Sequence, residues 1–154
     1  MNVMSLCSFA LAFWTQGYEG GYESRIESMQ SVCERVAITA ESRGMDSYIA
    51  MAMAWEESRF RDDLTSSEGA VGPMQVIPRF TCPDRKKEGC DLVDAGVSTY
   101  QMLLEVHKRR AEALCHYNSG NRCNSHSRAY ASRVIKRADK LKRIVEVCNY
   151  TCGC

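Results

Sequence analysis

The chain is poor in proline and histidine and carries almost no surplus of charge. Three prolines and ten glycines among 154 residues exclude a proline- or glycine-rich flexible polymer and leave long stretches free of helix breakers. Twenty basic residues stand against nineteen acidic ones, a formal net charge of +1, so no global field marks the chain as a nucleic-acid binder. The apolar run Val3–Trp14 is too short to span a bilayer. Strand-like alternation is scarce, and no repeat or low-complexity tract occurs. The length suits one domain with a single core and gives no reason to expect a partner subunit, so a monomer is expected.

Cysteine, by contrast, is abundant. Nine cysteines suggest an oxidising compartment and several disulfides. Cys82 and Cys90 are placed to staple the loop between them, and Cys115 or Cys123 to reach the tail that holds Cys148, Cys152 and Cys154. The odd count leaves at least one thiol free or intermolecular. Zinc is the competing use, drawing on Cys148, Cys152, Cys154 and either His116 or His126. No cysteine pair has the two-residue spacing of a structural zinc site, so neither metal nor cofactor is expected.

Residues 1–24 read as an N-terminal segment, 25–147 as the domain proper and 148–154 as a cysteine-rich tail. The first apolar run has the length of a signal-peptide core. It lacks a preceding lysine or arginine and a small-x-small cleavage site, which favours a packed N-terminal helix or strand over a cleaved leader. Gln16 to Glu23, with Gly17, Gly20 and Gly21, reads as a connector. Arg25 to Arg43 is amphipathic at the helical period, through Ile26, Met29, Val32, Cys33, Val36 and Ala40. Gly44 ends it, and Asp46 or Ser47 caps the next helix. Beyond a loop from Arg79 to Asp91, Val93 to His107, Arg109 to Tyr117 and Ser125 to Val147 read as helices. The last turns Tyr130, Val134, Ala138, Leu141 and Val145 inward and presents Arg133, Lys136, Arg137, Lys140 and Arg143 on its other face. A solvated face is the ordinary meaning of such a stripe, and attraction to an anionic polymer the other.

The stretch around which the chain is organised is Ala50 to Pro78. Ile49, Met51, Met53 and Trp55 belong to a segment without charge until Glu56 and Glu57. A helix apolar on every side is surrounded by protein, so these glutamates leave the core at a wall or a cleft. A desolvated carboxyl there has a raised pKa and suits a general acid; the alternative is that both simply end the helix in water. Periodicity does not choose between them, since Glu57 lies over Met53 and Ala54, and Glu56 over Ala52 and Met53.

Three separated blocks carry a family resemblance. Glu57-Ser58, Phe60, Ser66, Gly69-Ala70, Gly72 and Met74-Gln75 resemble the signature of the soluble lytic transglycosylases, goose-lysozyme-like enzymes that cleave peptidoglycan. Gly69, Gly72 and Gln75 stand 12, 15 and 18 residues after Glu57, the intervals of that family. Ala113 to Gly120 resembles its alanine-rich stretch ending in tyrosine-asparagine-x-glycine, and Ser127 to Tyr130, followed by Val134, its arginine-x-tyrosine segment. The likeness runs from about Met45 to about Leu141.

The resemblance implies an all-α, lysozyme-like helical domain, with room for a minimal β flap or an irregular one at Gly69 to Ile77. It implies cleavage between N-acetylmuramic acid and N-acetylglucosamine with formation of a 1,6-anhydro ring, by a route in which the substrate's own acetamido group is the nucleophile. Glu57 would be the single acid and base. Ser58 would orient it, Ser66 would hold the acetamido group, and Met74 and Gln75 would line the sugar cleft. Tyr117 and Asn118 would face the acid, and Tyr130 would hydrogen-bond the reacting sugar. A hydrolytic lysozyme, a glycan-binding protein and a disulfide-stapled structural protein are the alternatives. The implied partner is the peptidoglycan strand, with no nucleic acid and no membrane span, and the implied location is extracytoplasmic or on a phage virion. The chain departs from the family at Pro73, where leucine is usual, at Leu92, where asparagine is common, and at Cys115-His116, which replaces two small residues.

Overall fold

A computed structural model describes residues 1–16 and 21–151. Among these residues the protein is all-α and lysozyme-like, with seven α-helices and no strand. Helix α1 (Val3–Trp14) begins where the Asn2 side chain accepts a hydrogen bond from the Ser5 amide, and it buries Leu6, Cys7, Ala10, Leu11 and Trp14. The Cys7–Cys33 disulfide fastens it to α2 (Ile26–Ser42). The N-terminal apolar run is therefore a packed helix in the common core. Of the expected connector, residues 17–20 lie outside the described residues; a 3-10 turn, Glu23–Arg25, leads into α2.

Helix α3 (Ser47–Ser58) is the central post, packed between α2 and α7 (Ser125–Thr151). Asp46 caps it by accepting from the Tyr48 and Ile49 amides at 2.9 and 3.4 Å. Every residue from Ile49 to Trp55 is buried, as an uncharged helix requires. Helix α4 (Pro78–Thr81) is a single turn. Helix α5 (Leu92–His107) starts on an Asp91 cap, and α6 (Arg110–Ser119) folds back against it and against α7. The last helix runs on to Thr151 rather than ending at Val147, because neither glycine nor proline interrupts it.

Of the two expected forms the flap takes the irregular one, a set of turns held by two isolated antiparallel bridges, Thr65 with Val71 and Val71 with Val76. Cys82 and Cys90 are bonded as expected. Cys115 and Cys123 are bonded to each other, which corrects the expectation that one of them reaches the tail. The physical reason is local: Gly120, at φ +71°, reverses the chain beyond α6 and returns Cys123 to Cys115 before α7 departs. Cys148 is disulfide-bonded as well; Cys152 and Cys154 lie outside the described residues. No helix of the described residues is long and apolar enough to cross a membrane.

Candidate active site

The last turn of α3 is held in place by the chain that follows it. Arg59 and Phe60 both adopt φ of 56°, a left-handed conformation that costs roughly 1–2 kcal/mol per non-glycine residue. Burial offsets that cost. Phe60 is almost wholly enclosed, its ring 6.1 Å from that of Trp14 and 5.9 Å from that of Trp55. The Ser58 hydroxyl accepts from the Arg61 amide at 3.1 Å and lies 3.1 Å from the Ala54 carbonyl and 2.9 Å from the Pro73 carbonyl, to which it can donate. Ser58 thereby ties the helix end to the glycine-rich turn, and it is buried behind the cleft wall.

A cleft of about 1080 Å³ opens at this end of α3, and Glu57, Ser66, Gln75, Tyr117 and Asn118 line it. Burial raises the Glu57 carboxyl from its ordinary 4.5 to about 7; the Tyr130 hydroxyl opposes the rise and the charge of Glu56 adds to it. Tyr130 itself is buried. Its hydroxyl stands close enough to Glu57 for each to perturb the other's ionisation, yet it falls short of hydrogen-bond geometry with any protein atom. The Tyr117 hydroxyl donates to the Met74 carbonyl at 2.8 Å. Burial, then the negative charge of Glu57, lifts both tyrosines well above the ordinary phenol value.

The turn opposite is built from backbone contacts. The Ser66 amide donates to the Ala70 carbonyl at 2.9 Å, and its hydroxyl accepts from the Ala70 amide at 3.1 Å. This loop contains Gly69, whose φ of +82° suits glycine. Gln75 is left-handed at φ 47°, and its side-chain amide donates to the carbonyls of Leu64 and Gly72 at 3.1 and 3.0 Å. Met74 is fully buried beneath the wall. Of the eight residues singled out from sequence, five line the cleft, while Ser58, Met74 and Tyr130 stand behind it.

Two groups of residues at this site were not singled out from sequence. Gly96 lets α5 approach closely: a Cβ there would fall 2.5 Å from Met74 Cβ and 3.0 Å from the Tyr117 hydroxyl. A glycine inside a helical pattern is the signal that could have found it. Phe80, Thr99, Met102 and His107, from α4 and α5, also line the cleft; Phe80 and Met102 expose apolar side chains, which no feature of the sequence signals. Glu56, which periodicity could not tell from Glu57, turns away from the cleft and receives Arg133 and Arg137.

The grouping of Glu112, His116 and Cys123 brings ligand-type atoms within 4.8 Å of one another. The Cys123 sulfur is committed to a disulfide and supplies no thiolate, so these residues do not suit a metal ion.

A helical domain whose central post ends on a desolvated carboxyl beside a cleft has a lysozyme-like fold. Residues 35–140 match the Transglycosylase SLT domain, more than half of the chain, and the protein belongs to this family. The membership associates it with transglycosylase-type, peptidoglycan-related function. No curated protein and no solved structure matches the chain.

Proposed function

We propose that the protein is a lytic transglycosylase that cleaves the β-1,4 bond between N-acetylmuramic acid and N-acetylglucosamine, with Glu57 as the only acid and base. The observation that carries this reading is a Glu57 carboxyl raised to about 7 by burial, in a cleft that can hold a sugar strand. Such a group is protonated often enough to act as an acid and ionises readily enough to act as a base. It gives its proton to the glycosidic oxygen that leaves with N-acetylglucosamine, while the acetamido carbonyl oxygen of the muramic sugar attacks C1. The Glu57 carboxylate then takes the C6 hydroxyl proton, O6 displaces the acetamido oxygen at C1, and the acid is restored. No water is consumed. Tyr130, expected to bond the reacting sugar, is buried behind the cleft and would act on Glu57 instead; Ser66 and Gln75 would contact the acetamido side, and Tyr117 and Asn118 would form the facing wall. Ser58 and Met74 would act from behind, on the posture of the helix end and the turn.

Such a substrate lies outside the cytoplasm, which agrees with the disulfides and with a secreted, periplasmic or virion-borne protein. Hydrolysis is the second reading, favoured by Glu68, another carboxyl lining the same cleft that could activate water. Mass spectrometry of digested peptidoglycan separates the two. Anhydro-muropeptides from the wild type, lost in Glu57→Gln and retained in Glu68→Gln, support the lyase. Reducing-end products that require both glutamates would establish the hydrolase, and equal rates for wild type and Glu57→Gln would refute both.

A further inference from the structure

We propose that the recess between the end of α1 and α7 is a second binding site, which takes the phosphodiester backbone of an anionic wall polymer. The recess has a volume of about 480 Å³ and is lined by Phe13, Trp14, Arg133, Lys136, Arg137 and Lys140. Positions 133, 136, 137 and 140 share one face of a helix, so the cations form a row about 10 Å long. Among the described residues Glu56 is their one carboxylate, with Arg133 Nε at 3.0 Å and Arg137 at 2.9 Å. Four cations against one carboxylate make a surplus of three positive charges among those residues. Neither Lys136 nor Lys140 forms an ion pair among the described residues.

Rigid donors and mobile ones are combined here. Arg137 is clamped between Glu56 and the rings of Trp14 and Trp55, at 5.5 and 5.6 Å from their centroids, so a guanidinium is already in place for a phosphate. The two lysines line the same recess as adaptable point charges, Lys140 lying 4.9 Å over the Phe13 ring. Nucleic acid is a poorer occupant, because base stacking needs an open aromatic face. Trp14 is buried, and Lys140 covers Phe13. A bilayer is also poorer, because a flat surface does not enter a recess whose floor guanidinium is only 25% exposed. A thin, unbranched phosphate chain can lie along the row. The choice of a wall polymer rests on the peptidoglycan reading, whereas the anion chemistry does not.

The test is calorimetric titration of the full chain with poly(glycerol phosphate), beside Lys136→Glu/Lys140→Glu. Three released counter-ions predict about a twentyfold loss of affinity between about 50 and 200 mM salt. The double variant should bind at least about tenfold more weakly while cutting polymer-free peptidoglycan at the wild-type rate. Its thermal midpoint checks folding, and Lys136→Gln/Lys140→Gln replaces it if that midpoint falls. No binding by the wild type, or equal binding by the folded variant, overturns the proposal. A DNA oligonucleotide or an anionic vesicle binding as tightly as the polymer overturns it in favour of that ligand. A protein that binds the polymer without cutting glycan would refute the function proposed above and leave this site standing. Cutting without binding would do the reverse.

Discussion

Glu56 and Glu57 are adjacent, chemically identical and partly buried, and their surroundings separate them completely. A step of one residue along α3 turns the side chain by about 100°. On one side Glu56 meets two guanidiniums from α7 and serves as their counter-ion, its side chain only 5% exposed. On the other, Glu57 meets no cation, and its polar neighbour is the hydroxyl of Tyr130. Burial alone therefore does not produce an acid that functions near neutrality. It does so where the fold withholds a positive partner.

The largest expected effect tests that contrast directly. Glu57→Gln should lower the rate on peptidoglycan on the order of 10²–10⁴-fold, whereas Glu56→Gln should stay within about tenfold of wild type, measured by release of soluble glycan. Comparable losses from both would mean that chemistry is not confined to one side of the helix.

A second test uses stability. The Glu57 pKa is about 7 when folded against an ordinary 4.5, so between these values the folded state holds a proton that the unfolded chain has released. Stability should be fullest below about pH 4.5 and fall as pH rises towards 7, by at most about 3 kcal/mol and less where the cleft admits solvent. Thermal unfolding of Glu57→Gln should therefore gain on wild type between about pH 4 and pH 8. A constant difference would show that the carboxyl is not desolvated.

The third works through the neighbour. Glu56→Gln leaves Arg133 and Arg137 without their carboxylate, at a cost of about 2 kcal/mol. Because the charge of Glu56 contributes to the rise at Glu57, its removal should move the alkaline limb of kcat/KM to lower pH. A limb that stays in place would mean that the guanidiniums already cancel Glu56 as seen from the cleft.

The same contrast explains what the sequence makes legible. Helices follow from period and caps: Leu92–His107 departs by one residue from the expected Val93 start, because Asp91 supplies the cap. The uncharged run before Glu56 announces a buried post. Which glutamate would be partnered was not legible, because local apolar faces look alike and the deciding arginines lie 77 and 81 residues away. The family spacing points to position 57 without giving the physical reason. Gly96 was missed for a similar cause, since its role depends on Met74 and Tyr117 from two other parts of the chain. Cys82–Cys90 was legible, whereas the tail pairing of Cys115 or Cys123 failed on a turn: counting sulfurs says nothing of the reversal at Gly120 that returns Cys123 to α6.

Tyr130→Phe should give the smallest effect and the sharpest view of the Glu57 side. The hydroxyl is buried without a protein partner, so removing it forfeits no completed hydrogen bond and should change stability by no more than about 1 kcal/mol. Because that hydroxyl holds the Glu57 pKa down, the alkaline limb should move upward, opposite in direction to Glu56→Gln. A destabilisation beyond about 3 kcal/mol would instead show that the hydroxyl donates directly to Glu57 in the free protein. In that case the lone acid would be part of a hydrogen-bonded pair before any substrate arrives.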